Sequence, residues 1–185
     1  MKVISIFKNP IQLVKHAAAN DRKAQQALYK AYAPKMLAVC RSYISDLHHA
    51  EEVMMNGFLK VFSNMNDFEN KGSFEGWIRK IMVREAISFL RVAKNTFNVS
   101  EFNEGFDKEI DEVNNKLNAE AIQYCIDLLP EGYKTVFLLY AIEGYKHAEI
   151  AKMLGISEGT SKSQLSKARK FLQEQLKNKD HERSI

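Results

Sequence analysis

The sequence predicts an all-α protein: two small helical domains joined by a flexible acidic linker, the second containing a helix-turn-helix. Three observations carry this. Apolar residues make up 45% of the 185 positions, enough for packed cores, while 8 Gly and 3 Pro favour helices over a turn-rich β fold. Apolar side chains recur at three and four up to about residue 92 and again from about residue 117. Between these stretches, residues 93–116 lose that period and fill with Asn, Asp and Glu, although Phe97, Phe102 and Phe106 interrupt the polar run. The expected division is therefore 1–92, 93–116 and 117–185.

In the first segment Asp21 is placed to cap a helix carrying Ala24, Ala27, Leu28 and Ala31. Pro34 suits the first turn of another, followed by Met36, Leu37, Val39, Cys40, Tyr43 and Ile44. Ala50, Val53, Met54, Gly57, Phe58, Val61 and Phe62 then form an amphipathic stripe. After the polar loop NMNDFENKGS, a last helix buries Phe74, Trp77, Ile78, Ile81, Met82, Ala86, Phe89 and Leu90. Its other side is expected to show Arg79, Lys80, Arg84 and Arg91. In the third segment LNAEAIQYCIDLLP precedes a helix that opens at Pro130 and Gly132 and closes at Gly144.

Residues 144–176 read as the helix-turn-helix. Ile150, Ala151 and Leu154 mark one helix, and Gly155 takes the left-handed turn that ends it. Ser157 caps the next, whose buried face is Leu165, Ala168, Leu172 and Leu176. The remaining faces carry Lys162, Ser163, Gln164, Ser166, Lys167, Arg169 and Lys170, cations and amide or hydroxyl donors suited to phosphates and base edges.

The net charge of +4 is unevenly placed. Residues 1–91 hold 14 Lys/Arg against 8 Asp/Glu, residues 92–115 hold 2 against 6, and residues 116–185 hold 11 against 9. Two basic segments flanking an acidic connector suggest two separate contacts with a polyanion. Cys40 and Cys125 are isolated, which suggests neither a disulfide framework nor a CxxC metal site. His48 and His49, adjacent and so ~100° apart on a helix, suit solvent better than a shared metal ion. No Gly-rich phosphate loop, metal cluster or nucleophile–base pairing stands out, so no cofactor and no enzymatic activity is expected. No apolar run approaches the ~18 residues of a membrane span and no signal peptide is read, so the expected compartment is cytoplasmic. The residues alone leave three functions open: a two-site DNA-binding factor, a dimeric helix-turn-helix regulator, or an all-α adaptor with solvated basic faces.

The motifs narrow the choice. Leu28-Tyr29-Lys30-Ala31-Tyr32-Ala33-Pro34, Ala50-Glu51-Glu52-Val53, Phe58-Leu59-Lys60-Val61-Phe62 and Gly72-Ser73-Phe74-Glu75-Gly76-Trp77-Ile78 occur in the first segment. Leu129-Pro130-Glu131-Gly132-Tyr133, Val136-Phe137-Leu138-Leu139, Glu143-Gly144-Tyr145, Ala148-Glu149-Ile150-Ala151 and Leu154-Gly155-Ile156-Ser157-Glu158-Gly159-Thr160 follow in the third, with Lys162-Ser163 and Ala168-Arg169 beyond them. In this order the chain resembles the extracytoplasmic-function (ECF) sigma factors of the sigma-70 family, from Asp21 to Leu176 apart from the linker.

The resemblance implies a factor that binds bacterial RNA polymerase core, recognises −10 and −35 promoter elements and assists strand separation. It implies a polymerase surface at Asp46, Glu51, Glu52, Asn56 and Lys60. Contacts to the −10 element fall on Asn66, Asn70, Lys71, Trp77, Arg79, Lys80, Arg84 and Arg91, with loop 66–71 holding an extruded base. Contacts to the −35 element fall on Glu158, Lys162, Ser163, Gln164, Ser166, Lys167 and Arg169. It also implies an anti-sigma factor as partner and a monomer when free. The chain departs from the family pattern at Met55 and Asn56, where a polar pair is usual, at Ser161, where an apolar residue usually packs the recognition helix, and at Gln164, often Arg.

Overall fold

A computed structural model describes residues 10–69, 71–96 and 119–182, and every described regular element is helical. The chain divides into two compact units, with the division after Phe97.

The first unit contains α1 (Pro10–Ala18), α2 (Arg22–Tyr43), α3 (Leu47–Ser63), a 3-10 turn (Met65–Asp67) and α4 (Phe74–Thr96). Helices α2, α3 and α4 pack pairwise around one core, while α1 lies on α2 and on the 3-10 turn. Three side chains start these helices. The Asp21 carboxylate accepts from the backbone N–H groups of Lys23 and Ala24 at 2.8 and 3.3 Å. Asp46 accepts from His49 at 2.8 Å and the Ser73 hydroxyl from Gly76 at 3.0 Å, each satisfying an amide that the helix leaves orphaned. The core is filled by Met36, Val39 and Cys40 of α2, Val53, Phe58 and Val61 of α3, and Ile78, Met82 and Val83 of α4. Gly57 of α3 faces the Met82 side chain so closely that an added Cβ would overlap its sulfur.

Three details differ from the sequence reading. Pro34 lies inside one continuous helix rather than at the start of a second. Proline in a helix interior costs ~3 kcal/mol. Leu28, Met36, Val39, Cys40 and Tyr43 are all buried on either side of it, and burying a large apolar side chain is worth ~1.5–3 kcal/mol, so packing prevails. Pro34 and Lys30 are both exposed, so the missing hydrogen bond falls on the solvent side of α2. The polar loop contains the 3-10 turn, anchored by buried Met65. Helix α4 runs to Thr96, four residues beyond the expected end of the first domain.

The second unit contains α5 (Ala119–Asp127), α6 (Glu131–Phe137), a π turn (Leu138–Ile142), α7 (His147–Leu154) and α8 (Glu158–Glu182). Helix α8 packs on α5, α6 and α7. Its core comprises Ile126, Leu129, Val136, Leu139, Ile150, Leu165 and Ala168. Gly155 ends α7 at φ 66°, as the sequence predicted, and Gly144 closes the π turn at φ 76°. Ser157 caps α8: its hydroxyl accepts from the Thr160 N–H at 3.0 Å. Lys134 is a buried cation whose Nζ lies 2.6 Å from Asp127 Oδ1, tying α6 to α5.

Cys40 and Cys125 are buried free thiols, and desolvation pushes the Cys40 thiol up to about 12, which keeps it protonated and inert. Among the described residues no helix is long and apolar enough to cross a membrane, and no group of three His, Cys, Asp or Glu is placed to hold a metal ion. The linker from residue 97 onward and the apolar residues Val3, Ile4, Ile6 and Phe7 lie outside the described residues.

Candidate nucleic-acid interface

Helix α8 is anchored by Ser161, Leu165 and Ala168, all buried. At ~100° per residue the opposite side is centred on Gly159, Ser163, Ser166 and Lys170, with Lys162 and Lys167 on its flanks. All six are exposed. Gln164 lies next to the buried stripe and is half-buried, so this predicted base reader sits at the edge of the surface rather than on it. Glu158 and Lys162 pair at 3.7 Å, and Lys170 pairs with Glu174 at 3.9 Å. Both lysines are thus held by exposed partners that phosphate could displace at little cost. The Ser163 hydroxyl donates to the Thr160 carbonyl at 3.0 Å, which leaves its oxygen to accept.

Two of the predicted contact residues lean back on tyrosines. Lys167 Nζ stands 5.7 Å from the Tyr133 ring centroid, and the Arg169 guanidinium 5.6 Å from that of Tyr140. Tyr140 stacks on the His147 imidazole, with centroids 4.7 Å apart and planes 22° apart. His147 Nδ1 lies 2.9 Å from Ser161 Oγ, and Ser161 is fully buried. The serine that departs from the family pattern is thus a partnered polar group inside an otherwise apolar seam. Sequence spacing gave no sign of the pairing, because it joins residues 14 apart across two turns.

On α4, Lys80, Arg84 and Arg91 are exposed, and helical spacing aligns them with half-buried Trp77 in one row. Arg79 departs from the expectation. It is half-buried and falls about 100° from Lys80, on the side of Met82 and Ala86. Trp77 belongs to an aromatic cluster at the start of the helix, stacked on Phe74 at 5.6 Å and tilted against Phe68 at 5.6 Å. Phe68 in turn meets Phe74 edge-on at 5.1 Å, and Tyr32 of α2 meets Phe74 at 5.7 Å. Burial, then the nearby Glu75 carboxylate, raises the Tyr32 phenol above its ordinary value, and Lys35 partly opposes them. A Lys35–Glu75 ion pair at 2.8 Å closes this corner. Asn66 is exposed in the middle of the 3-10 turn, Lys71 pairs with Glu69 at 2.5 Å, and Asn70 lies outside the described residues.

On α3, Glu51, Glu52 and Asn56 are exposed as expected. Asp46 and Lys60 are exposed too, and each also has a structural task. Asp46 caps the helix, and the His49 backbone N–H holds its carboxyl below the usual range. Lys60 reaches Glu85 of α4 at 2.7 Å. Leu59, which the sequence did not single out, and Met55, noted only as a departure from the family pattern, are 64% and 49% exposed and share the outer row with Glu52 and Asn56. Their i, i+4 spacing was available in the sequence, but the stripe on the other side of α3 accounted for the helix without them.

Comparisons with known proteins match both helical units. Residues 28–96 match the family model for sigma-70 region 2, and residues 119–172 match that for sigma-70 region 4. The chain is 30% identical over 139 residues to the RNA polymerase sigma factor SigV of Bacillus subtilis, covering 75% of this chain and 82% of that protein. It is 25% identical over 177 residues to the ECF RNA polymerase sigma-E factor of Haemophilus influenzae, covering 89% and 93%. Among solved structures, the sigma factor RpoE of Bartonella quintana, crystallised with the anti-sigma factor NepR, shares the fold with a TM-score of 0.50 and 22% identity, over 82% of this chain and 96% of that one.

Proposed function

The chain belongs to the ECF branch of the sigma-70 family, the factors that direct promoter-specific transcription initiation by RNA polymerase, and we propose how its surfaces divide that work. The outward face of α8 reads the −35 element in the major groove, with Lys162, Ser163, Ser166, Lys167 and Lys170 foremost and Glu158, Gln164 and Arg169 at its margins. The row Lys80, Arg84 and Arg91 follows the backbone of the −10 element as its strands part. Asn66 and Lys71 border the loop for an extruded base, and the aromatic cluster around Trp77 supports that loop. Unstacking a base costs a few kcal/mol, which backbone cations and a pocket offset. The outer row of α3, Glu52, Met55, Asn56 and Leu59 with Glu51 beside it, docks on a helical surface of polymerase core, apolar residues at its centre and charges at its rim.

One observation carries this reading: each of the two helical units presents its own acid-poor basic face on a single helix, and each unit matches a separate sigma-70 region. A single module neutralising ~4 phosphates binds DNA weakly, at ~10⁻⁴–10⁻⁶ M without specificity, so two such faces need a scaffold that holds them on one promoter. Polymerase core supplies that scaffold and all catalysis, and the chain works in the cytoplasm as a non-enzymatic subunit. An anti-sigma factor that covers the polymerase-facing row is the natural repressing partner; the Bartonella sigma factor was crystallised in complex with one, NepR.

Gel filtration of the purified chain with sigma-free core tests the docking surface. Stoichiometric co-elution is expected for the wild type, and Leu59→Asp should weaken it at least tenfold without unfolding the first unit, because Leu59 is exposed. Equal retention of the wild type and Leu59→Asp would move the docking surface off α3.

A further inference from the structure

The seam between the two helices of the helix-turn-helix is built from Ile150 and Ala151 of α7 and Leu165 and Ala168 of α8, all buried and apolar, with one exception. Ser161 has no exposed surface, and its hydroxyl lies 2.9 Å from Nδ1 of His147, the first residue of α7. The imidazole is itself held flat against Tyr140 of the π turn, and α8 reaches the same ring through Arg169, at the margin of its outward face. Helix α8 is therefore tied to one rigid pair of rings at two points, Ser161 and Arg169. These lie eight residues apart, or about 12 Å along the axis.

Apolar seams are non-directional, whereas a hydrogen bond weakens steeply once its angle falls below ~120°. A roll of ~20° about the axis of α8 would move a side-chain tip ~6 Å from that axis by about 2 Å. That distance separates a base-edge hydrogen bond from none. Ser161 also stands in the first turn of α8, beside Glu158, Lys162 and Ser163, where such a displacement matters most.

We propose that His147 and Ser161, backed by Tyr140, form a polar latch that fixes the roll of α8 on α7 and thereby sets which −35 bases the recognition helix reads. This rests on the reading of α8 as the −35 reader. His147 and Ser161 are positioning residues: neither needs to touch DNA. The latch gives up some apolar burial at position 161 for a single helix orientation, so stability and selectivity should separate when it is altered.

The test uses the full chain in holoenzyme and a duplex promoter library randomised independently across the −35 and −10 elements. Wild-type holoenzyme should enrich defined sequences at both. His147→Leu should lower −35 enrichment about tenfold, the discrimination carried by one well-made base contact, and leave −10 enrichment unchanged. His147→Asn places an amide oxygen where Nδ1 stood and should recover most of the −35 enrichment. Ser161→Val should raise the melting temperature of the second unit while flattening or shifting the −35 preference, and it keeps the question open to experiment if His147→Leu fails to fold. Wild-type −35 selectivity retained in His147→Leu, or in Ser161→Val, would overturn the latch alone. A wild-type holoenzyme indifferent to the −35 positions would overturn the reading of α8, and the latch with it.

Discussion

Replacing Lys80, Arg84 and Arg91 together by Ala should change the salt dependence of promoter binding by an amount the structure fixes. All three side chains are exposed and lie in one row along α4. Each cation that neutralises a phosphate contributes ~0.7 to the slope of log K against log salt on single-stranded DNA and ~0.9 on duplex. Three such contacts contribute ~2.1–2.7. Between ~50 and ~200 mM salt, a fourfold change, wild-type holoenzyme should therefore lose about 18- to 42-fold more affinity than the triple variant. Fluorescence titration of labelled promoter DNA with reconstituted holoenzyme across a salt series gives both slopes. Arg79→Ala is the internal comparison: Arg79 is half-buried on the inner flank, so its removal should lower the stability of the first unit and leave the slope alone. A triple variant with the wild-type slope would show that this row does not follow the DNA backbone, and a slope change from Arg79→Ala alone would show that the wrong side of α4 had been assigned.

Three further outcomes follow from local packing and charge. Asp127→Ala strands the buried Lys134 ammonium and should weaken α5 and α6 by ~1–3 kcal/mol, less than a fully buried broken pair because Asp127 is half-exposed, whereas Lys134→Met should be near neutral or stabilising; native-state hydrogen exchange of those helices measures both. Gly57→Ala gains up to ~1 kcal/mol of helix propensity but overpacks Met82 at a cost of ~1–3 kcal/mol, so thermal unfolding should show a net loss in the first unit. The folded-state pKa of Asp46 is depressed, so its contribution to stability is present above the unfolded value of ~3.9 and disappears as pH falls through the folded one. Asp46→Asn keeps a capping oxygen and should flatten that acid limb in a pH series of melting curves.

Periodicity and capping chemistry made most of the helical architecture legible. Asp21, Ser157 and Gly155 do what their residue types predict, and the stripe from Ala50 to Val61 is buried as spaced. What escaped was set by competition between local preference and packing, or by contacts distant in sequence. Pro34 reads as a helix start because its local cost is visible, while the buried side chains that outweigh it act through α3 and α4. Arg79 and Gln164 read as exposed because charge and polarity were used where helical phase should have decided, and that phase does turn both toward their cores. Nothing in the spacing of His147 and Ser161 announces a hydrogen bond, since the π turn and the Gly155 turn together bring α7 and α8 to it. Leu59 was hidden for the opposite reason: it is an apolar residue outside the buried stripe, and it joins Met55 as a second exposed apolar residue only once the core is complete without them.

The central claim is that this chain gives promoter selectivity to a polymerase that lacks it. Run-off transcription by sigma-free core, with and without the chain, on promoters recovered from the randomised library tests this most directly. One defined start site should appear only when chain and core are both present, with little promoter binding by the chain alone. Transcripts unchanged by the chain, or promoter binding by the free chain as tight and selective as that of holoenzyme, would contradict it.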